Sequence, residues 1–506
     1  MVGSEPADEI RERHREARER ARSMGPFRAW IDGERVEASD GATAETRDPV
    51  VDEPIASVPA CGPEDVDRAV EAAAAGFADE WSEVTPAERS RRLFEWTDVL
   101  ADHVEELAFL ECLDTGKPRA DARGEIEGAT DTLEYYASVC RSQSGDQIPA
   151  REDVHLFTRQ EPFGVVGQIT PWNFPAWAAA WKLGPALAAG NASVLKPSAS
   201  SPLSTIRMAE LTEGILPDGV VNVVPGAGRD VGQPLTEHPD VAKVSFTGST
   251  AVGRGVMKAA AERVAPVTLE LGGKSPFIVF PDADLETAVD AVAAGIFYST
   301  GEICDAFSRA LVHEDVLAEF TDRFVERAES YVLGDPLAED TTMGPLTTRD
   351  QFGKVSDYVD AGRREGATLL TGGGPPDDPA LADGWYFEPT VFGDVDNDMR
   401  IAREEIFGPV QTIIPFGSYE EAIEIANDTD YGLAAGIGTE RTSLVHNAAA
   451  DLEAGLVYVN EYGPILPEAP YGGYKDSGIG RDLGQEALDH YRQTKTVYVN
   501  LDDPSL

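Results

Sequence analysis

Short β-branched runs alternate with alanine-rich stretches along the chain from about Gly164. The runs GVVGQI, ASVLK, GVVNVV and VAKVSF have the length and composition of buried strands, and the stretches AWAAAWKLGPALAAG and SPLSTIRMAELTEG between them are typical of helices. Alternation of strand and helix predicts parallel pairing. We therefore expect an α/β fold that begins with an open, doubly wound parallel sheet, and such sheets bind ligands beyond the carboxyl ends of their strands.

A second series of the same kind follows residue 275. The runs PFIVF, RALVHE, VQTIIPF and GLVYVN are predicted strands, and residues 284–297 and 419–427 are predicted helices. This series indicates a second α/β domain. The tail YRQTKTVYVNL alternates as a lone strand, and nothing earlier in its vicinity pairs with it. We expect its edge to pair with a partner subunit.

Residues 1–26 form a charged N-terminal extension in which glutamate and arginine interleave without an apolar run. This composition predicts a solvated helix and is unlike a secretory or transit segment. The uncharged stretch from Pro162 to Trp181 contains Pro171 and Pro175, so a strand, a turn and a helix are expected there rather than a membrane span. The four cysteines lack metal or disulfide spacing, which predicts reduced thiols in the cytoplasm and no metal site.

Acidic residues dominate the charge of the chain. Its 506 residues include 90 Asp and Glu against 42 Lys and Arg, for a formal net charge of −48. Such a surface repels nucleic-acid phosphates and anionic lipid headgroups, which argues against DNA, RNA and membranes as partners. Only nine of the cationic residues are lysines, while the 42% hydrophobic content is that of an ordinary core. We expect an acidic coat of the kind that halophiles use.

Three residues are candidates for covalent chemistry. Cys304 lies on a tight connection in GEICDAFSR, where it is either a nucleophile or a core thiol. Glu270 lies near the end of an apolar strand, before two glycines, as a buried general base or as a carboxylate paired with a cation. Asn173 lies between two prolines in TPWNFP, where its amide either donates to developing negative charge or forms a turn.

Two further segments suit a phosphate-bearing ligand. FTGSTAVG follows a strand and opens a helix, although as GxxxxG it is a weak dinucleotide signal by itself. Lys196 ends the strand ASVLK, where it either reaches a ribose or phosphate or is simply exposed. Because lysine is scarce in this chain, the first interpretation is favoured.

Seven motifs, in this order, resemble those of the NAD(P)-dependent aldehyde dehydrogenase superfamily: TPWNFP, LKPS, FTGSTAVG, LELGGKSP, GEIC, EEIFGPV and YGGYKDSGIGR. The resemblance runs from about Phe27 to Val499. It implies that Cys304 is the nucleophile, Glu270 the general base and Asn173 the oxyanion donor, together with the backbone amide of Cys304.

The resemblance also implies a cofactor site and a substrate tunnel. The implied cofactor-binding residues are Thr170, Trp172, Lys196, Gly228, Gly232, Gly248, Ser249, Val252, Gly253, Leu271, Glu405 and Phe407. The implied tunnel residues are Phe174, Ala178, Trp181, Tyr298, Asp305, Ile465 and Tyr471.

The resemblance divides the chain into functional parts. Residues 27–140 and 160–274 are expected to form the dinucleotide-binding domain, and residues 275–477 the catalytic domain. Residues 141–159 and 486–506 are expected to supply a small β element for oligomerisation, in a homodimer or homotetramer.

The chain departs from the family pattern at four positions. Glu302 replaces a glutamine two residues before the nucleophile, Asp305 follows the nucleophile, and Phe307 replaces a small residue. Buried negative charge there would oppose thiolate formation, and Asp305 in the tunnel mouth would favour cationic or neutral hydroxylated aldehydes over carboxylate semialdehydes. Ala199 stands where NAD-specific members often carry an acid, so NADP is expected to be accepted beside NAD.

These observations predict oxidation of a small aldehyde to a carboxylic acid with NAD(P), through a cysteine thiohemiacetal and a thioester. Two alternatives remain open. A CoA-acylating semialdehyde dehydrogenase would resolve the thioester with CoA, but the chain retains Glu270 as a base that activates water. A non-catalytic structural or binding member of the same fold would be signalled by loss of Cys304 or Glu270, and both are present.

The acidic coat predicts a dependence on salt. Repulsion among 90 carboxylates must be screened, so stability and activity should rise with salt to about molar concentration, where the Debye length is ~3 Å. The melting temperature and the turnover number, measured in dilute buffer and in molar KCl, check this. Full activity with an unchanged melting temperature in dilute buffer would contradict it.

Overall fold

The structure, a computed structural model, describes residues 6–501. Residues 1–5 of the predicted extension and 502–506 of the predicted tail lie outside the described residues. The helices are α1 (Ala7–Met24), α2 (Pro63–Asp79), α3 (Pro86–Asp102), α4 (Val104–Thr115), α5 (Arg119–Val139), α6 (Pro175–Ala189), α7 (Leu203–Glu210), α8 (Gln233–Glu237), α9 (Thr250–Ala261), α10 (Leu285–Phe297), α11 (Leu317–Glu329), α12 (Arg349–Glu365), α13 (Arg400–Arg403), α14 (Tyr419–Asn427), α15 (Thr442–Asp451) and α16 (Gly484–His490).

Five parallel strands form the centre of the first sheet. Its strands, in spatial order, are β2 (Glu34–Val36), β1 (Ala29–Ile31), β8 (Val221–Val223), β7 (Ala192–Lys196), β6 (Val165–Ile169), β9 (Lys243–Thr247), β10 (Val267–Glu270) and β20 (Gly478–Ile479). The strands from β8 to β10 run parallel, and β1 and β20 flank them antiparallel. Both β6 and β7 are wholly buried because helices cover both faces, α3 to α7 on one and α2, α8 and α9 on the other.

The second sheet is again mostly parallel. Its strands, in spatial order, are β13 (Thr368–Thr371), β14 (Thr390–Gly393), β15 (Val410–Phe416), β12 (Arg309–His313), β11 (Pro276–Val279), β17 (Ala434–Gly438) and β18 (Leu456–Val459). Helices α10 and α11 pack on one face and α12 to α15 on the other. The predicted α/β class with parallel sheets is therefore confirmed. Small two-stranded sheets pair β3 (Thr43–Asp48) with β4 (Glu53–Pro59) and β16 (Tyr431–Gly432) with β19 (Tyr474–Lys475).

The order of the first sheet creates a crevice. From β6 the chain continues to β7 and β8 on one side, and it then returns to β9 and β10 on the other. Neighbouring connections therefore diverge between β6 and β9, and they leave a gap beyond the carboxyl ends of these two strands. The uncharged stretch after Pro162 forms β6 and α6, and no helix within residues 6–501 is long and apolar enough to span a membrane.

The prediction of a solvated N-terminal helix is wrong in one respect. Residues 7–24 do form a helix, α1, but the stripe Ile10, His14, Ala17, Arg18 and Ala21 on one of its faces is buried. The sequence contains few apolar residues here, so the burial depends on ion pairs instead. Charged side chains on the other face remain exposed, which is what the sequence pattern had indicated.

His14 holds α1 to two distant segments. Its Nδ1 lies 2.7 Å from Oδ2 of Asp48 on β3, and its Nε2 lies 2.8 Å from Oδ1 of Asp335 beyond α11. Arg18 donates to the same oxygen of Asp48 at 3.2 Å. Burial alone would lower the pKa of His14, but the hydrogen bonds to Asp335 and Asp48 outweigh it and raise the pKa to about 9.

The tail is not a lone strand, because it pairs within the chain, while the pairing of its other edge with a partner subunit stays a prediction. Strand β21 (Arg492–Asn500) runs antiparallel to β5 (Val154–Pro162) over nine residue pairs, from Arg492 opposite Pro162 to Asn500 opposite Val154. The partner lies more than 300 residues earlier, which is why nothing near the tail in sequence could reveal it. Most of β21 is exposed, Tyr498 at 73% among its residues.

The environment of His14 predicts a pH-dependent stability. Since folding raises its pKa from 6.5 to about 9, the stabilisation is fully present below pH 6.5 and is lost as the pH rises through about 9, with a size of up to about 3 kcal/mol. Denaturant unfolding of the wild type and His14→Gln, in molar KCl across this range, measures the difference between them. A difference that stays constant with pH would contradict the prediction.

Candidate active site

A cavity of about 830 Å³ opens beyond the carboxyl ends of β6, β7, β9 and β10 and reaches the second sheet. Each of these strands ends at a polar residue of the cavity or just before one. Thr170 follows β6, Lys196 ends β7, Thr247 ends β9 and Glu270 ends β10. The turn between α10 and β12 contributes Cys304 from the other side. The cavity thus occupies the crevice at the switch point between β6 and β9.

Nearly all predicted site residues line this one cavity. Those in its wall are Thr170, Trp172, Asn173, Phe174, Ala178, Trp181, Lys196, Ala199, Gly228, Gly248, Ser249, Val252, Glu270, Leu271, Tyr298, Cys304, Asp305, Glu405, Phe407, Ile465 and Tyr471. Gly232 and Gly253 lie behind it. A Cβ on Gly253 would lie 2.4 Å from Cδ2 of Leu271, and one on Gly232 would lie 3.4 Å from Cδ of Lys196. These two glycines therefore shape the wall without forming its surface.

The loop before Cys304 has an unusual backbone. Ser299, Thr300 and Gly301 have φ angles of 46°, 54° and 74°. A Cβ on Gly301 would lie 2.3 Å from the carbonyl carbon of Gly408, so two backbone segments meet there with no room for a side chain. Such conformations persist only where the surrounding structure imposes them, and they cluster at functional sites.

The thiol of Cys304 lies among acidic and phenolic groups. Its Sγ is 3.0 Å from the hydroxyl oxygen of Tyr471. Burial raises the pKa of the Cys304 thiol, and the charges of Asp305 and Glu270 add to that effect, whereas the hydrogen bond with Tyr471 opposes it. The protein therefore holds this residue as a neutral thiol with a phenolic donor ready for its thiolate.

Asn173 is held from both ends in the turn before α6. Its Nδ2 donates to the carbonyl oxygen of Glu302 at 2.7 Å, and its own carbonyl oxygen accepts from Nζ of Lys117 at 2.8 Å. Pro175, at the first position of α6, fixes the direction in which the chain leaves the turn. Because a primary amide has two N–H groups, one remains to point toward a ligand.

Glu270 is a buried carboxyl with no hydrogen-bond partner in residues 6–501 for either oxygen. Desolvation raises its pKa well above the ordinary value, and the charge of Asp482 raises it further. A Cβ on Gly472 would lie 2.6 Å from Oε1, so this glycine leaves the space that the carboxyl occupies. A carboxylate with a raised pKa is a stronger base than an ordinary one.

Polar groups converge on the half of the cavity beside the first sheet. Ser249 is the N-cap of α9, and its side chain makes no capping hydrogen bond. Lys196 donates from Nζ to the carbonyl oxygen of Pro197 at 2.6 Å, and burial lowers the pKa of its ammonium group to about 8. Glu405 accepts from the backbone N–H of Gly273 at 3.1 Å. These groups leave the cavity with both cationic and anionic hydrogen-bonding positions.

Two of the unusual acids face away from free solvent. The carboxylate of Glu302 accepts from the backbone N–H of Thr347 at 3.1 Å, and burial raises its pKa to about 8. Asp305 lines the cavity, but it is only 1% exposed and accepts from Tyr458 at 3.1 Å and Tyr462 at 3.0 Å. Asp305 therefore lies in the cavity wall, where each of its oxygens accepts one hydrogen bond from a tyrosine, and its effect on substrate charge stays a prediction.

Phe307 has a packing role. Its ring contacts those of Phe277, Tyr458 and Tyr462 at centroid distances of 5.1 to 5.9 Å. It also lies over Gly295 of α10, where a Cβ would be 2.5 Å from its Cδ2. The large residue is accommodated because the neighbouring helix carries a glycine.

Sequence reasoning missed several residues of the cavity wall. Trp177, Gln351, Lys354 and Tyr462 all line it. Trp177 precedes Trp181 by four residues on α6, a spacing that puts both rings on one helix face and could have predicted it. Lys354 is one of only nine lysines, which was also a usable signal. No signal in the sequence pointed to Gln351 or Tyr462.

Comparison with known proteins agrees with this architecture. Residues 36–497 match the aldehyde dehydrogenase family. DhaS of Bacillus subtilis (strain 168) is 44% identical over 483 residues, 95% of this chain and 97% of that protein. The chain belongs to the aldehyde dehydrogenase family and is an oxidoreductase of that class.

Solved structures of two relatives superimpose closely. An NAD⁺ complex of aldehyde dehydrogenase from Bacillus cereus has a TM-score of 0.93 and 44% identity, covering 94% of this chain and 97% of that one. Betaine aldehyde dehydrogenase from Staphylococcus aureus, in complex with NAD⁺, has a TM-score of 0.95 and 39% identity, covering 97% of this chain and 98% of that one.

Proposed function

We propose that this protein oxidises a small aldehyde to a carboxylic acid with NAD(P), through a thiohemiacetal and a thioester on Cys304. The observation that carries the proposal is that a thiol, an amide donor and a buried carboxyl, Cys304, Asn173 and Glu270, line one cavity. That cavity continues into the crevice at the switch point of a doubly wound sheet, where dinucleotides bind.

The residues of the crevice fit a dinucleotide. Thr170, Lys196, Gly248 and Ser249 would hold its phosphates and adenosine ribose, since they lie at strand ends and at the start of α9. Leu271 and Glu405 would hold the nicotinamide end. A Cβ on Gly272 would lie 2.5 Å from Oε2 of Glu405, so a ligand beside this carboxylate meets bare backbone. The two NAD⁺ complexes of relatives support the same assignment.

The chemistry begins at Cys304. Glu270 accepts the proton of the Cys304 thiol and passes it to solvent. The thiolate, with Tyr471 as a hydrogen-bond donor, then forms a C–S bond to the aldehyde carbon while Asn173 and the Cys304 N–H donate to the carbonyl oxygen as it becomes negative. When bound, the nicotinamide ring supplies the acceptor for the hydride that this carbon then loses. As the hydride leaves, the electron pair on the negative oxygen re-forms the carbon–oxygen double bond. The product is a thioester on Cys304.

Glu270 completes the reaction. Its carboxylate takes a proton from water, whose oxygen attacks the thioester carbon, and the C–S bond breaks to return the Cys304 thiolate and release the acid. The retention of this base favours water over CoA as the second nucleophile. The meeting of all three groups in one cavity likewise disfavours a non-catalytic role.

The tunnel walls indicate the kind of aldehyde. Phe174, Trp181, Tyr298, Ile465 and Tyr471 form an apolar and aromatic lining. Asp305 adds a buried acid that would repel carboxylate semialdehydes and attract cationic aldehydes, and the hydrogen bonds from Tyr458 and Tyr462 weaken both effects. Neutral aldehydes are therefore the favoured substrates.

The assembly and the location of the protein are also proposals. The exposed strand β21 and its apolar side chains suit pairing with a second copy of the chain, in a dimer or tetramer. The cysteines in the described part of the chain are all free, which fits the reducing cytoplasm.

Two substitutions test the mechanism. Cys304→Ala should abolish aldehyde oxidation while cofactor binding persists, and Glu270→Gln should keep the rapid first formation of NAD(P)H but slow the later turnover by about 100-fold. Stopped-flow absorbance and cofactor titration measure these steps. Cys140→Ala, a buried thiol far from the cavity, is the matched control and should stay near the wild-type rate. A Cys304→Ala enzyme that forms NAD(P)H at the wild-type rate would refute the mechanism.

Ala199 leads to a prediction about cofactor choice. An acid there would accept from a ribose 2′-hydroxyl and repel a 2′-phosphate, whereas Ala199 leaves room beside the ammonium of Lys196. We expect NADP to be used, and Ala199→Glu to lower kcat/KM for NADP far more than for NAD. An NAD preference above ~100-fold in the wild type, roughly 2.7 kcal/mol, would defeat the idea.

A further inference from the structure

A buried lysine outside the cavity touches the turn that carries Asn173. Lys117 follows Gly116, the C-cap of α4, and it is 3% exposed. Its ammonium donates to the carbonyl oxygen of Asn173 at 2.8 Å and lies 4.5 Å from the ring centroid of Phe174. A single cation thus contacts both the oxyanion-donor residue and the adjoining tunnel wall.

Two buried acids accompany this lysine. Glu125 on α5 is ion-paired with the ammonium of Lys117, and Glu111 on α4 lies 3.8 Å from it. Both acids are 0% exposed, and burial together with the charge of Glu111 raises the pKa of Glu125. Burying three ionisable groups costs free energy, and a well-packed apolar cluster in their place would avoid that cost. We therefore expect these groups to have a role that apolar side chains could not perform.

A closed circuit of hydrogen bonds joins this cluster to the nucleophile loop. Nδ2 of Asn173 donates to the carbonyl oxygen of Glu302, which lies two residues before Cys304. The carboxylate of Glu302 accepts from the backbone N–H of Thr347 at 3.1 Å, and the hydroxyl of Thr347 donates to the carbonyl oxygen of Thr115 at 2.8 Å. Thr115 ends α4, two residues before Lys117. Asn173 is therefore clamped between the end of α4 and the loop of Cys304.

We propose that Lys117 is a positioning residue that holds the Asn173 turn so that the free amide N–H faces the oxygen of the substrate carbonyl. The ammonium restrains the peptide carbonyl of Asn173, and the bond from Nδ2 to Glu302 restrains its side chain, so the two contacts together set the direction of the remaining N–H. The inference rests on the proposed role of Asn173 as the oxyanion donor.

The experiment compares two reactions of Cys304 that need no cofactor. With p-nitrophenyl acetate, the thiolate forms a bond to the carbonyl carbon, the oxygen becomes negative, and p-nitrophenolate then leaves with its electron pair. With iodoacetamide, the thiolate displaces iodide from a CH₂ carbon and no oxyanion forms. The ratio of the two rates therefore reports on oxyanion stabilisation and not on the reactivity of the thiol.

Loss of the Lys117 ammonium or of the Asn173 amide should slow acylation by p-nitrophenyl acetate but not alkylation by iodoacetamide. We expect Asn173→Ala to slow acylation by about 100-fold and Lys117→Met by about 10-fold, with alkylation within about twofold of wild type in both. If Lys117 acts through Asn173, the double variant is no slower than Asn173→Ala. Lys243→Met, which removes an equally buried lysine over the ring of Tyr491, is the matched control and should leave the ratio unchanged.

Each other outcome has one meaning. Effects of Lys117→Met and Asn173→Ala that multiply in the double variant, or alkylation slowed as much as acylation, would overturn the positioning role. An Asn173→Ala enzyme with normal acylation would instead overturn the oxyanion role in the proposed function. Should Lys117→Met not fold, because the acids lose their counter-ion, Lys117→Met/Glu125→Gln removes one acid with it and gives the same ratio to measure.

Discussion

The divergence of the chain between β6 and β9 is the constraint on which the rest of the molecule depends. Parallel strands place all their carboxyl ends at one edge, and the change of direction there leaves a gap that no connection covers. Thr170, Lys196 and Glu270 reach one cavity only because their strands end at this edge. The second sheet then closes the gap with the loop of Cys304, so chemistry occurs where two independently packed cores meet.

Burial at this junction sets up an electrostatic conflict. In the proposed mechanism Cys304 becomes a thiolate, yet burial and the charges of Asp305 and Glu270 raise the pKa of its thiol. The structure answers with donors rather than cations, since Tyr471 meets the thiol and Tyr458 and Tyr462 meet Asp305. Neutral donors stabilise negative charge without the desolvation cost of another buried ion.

The two parallel sheets could be predicted because the hydrophobic pattern of a buried strand or a helix is visible within its own short segment of sequence. The family resemblance also implied a set of site residues, and nearly all of these lie in the cavity wall. Prediction failed where a partner is remote. The buried face of α1 contains the polar residues His14 and Arg18, so the sequence pattern predicts an exposed helix. Their burial depends on Asp48 and on Asp335, and Asp335 lies some 320 residues away in sequence. The partner of β21 is equally remote, and the tyrosines that donate to Asp305 come from β18 and the loop after it.

The amino-acid composition also indicates where the interior contains charged groups. Lysine has nearly vanished from this chain, yet five of its nine lysines are buried, namely Lys117, Lys182, Lys196, Lys243 and Lys274. A buried ammonium costs several kcal/mol unless it is paired, so a chain that avoids lysine on its surface keeps these for interior contacts. Arginine is too large and rigid to replace a compact ammonium in a packed site. In a protein so depleted of lysine, these five buried lysines therefore mark positions where the interior holds a point charge.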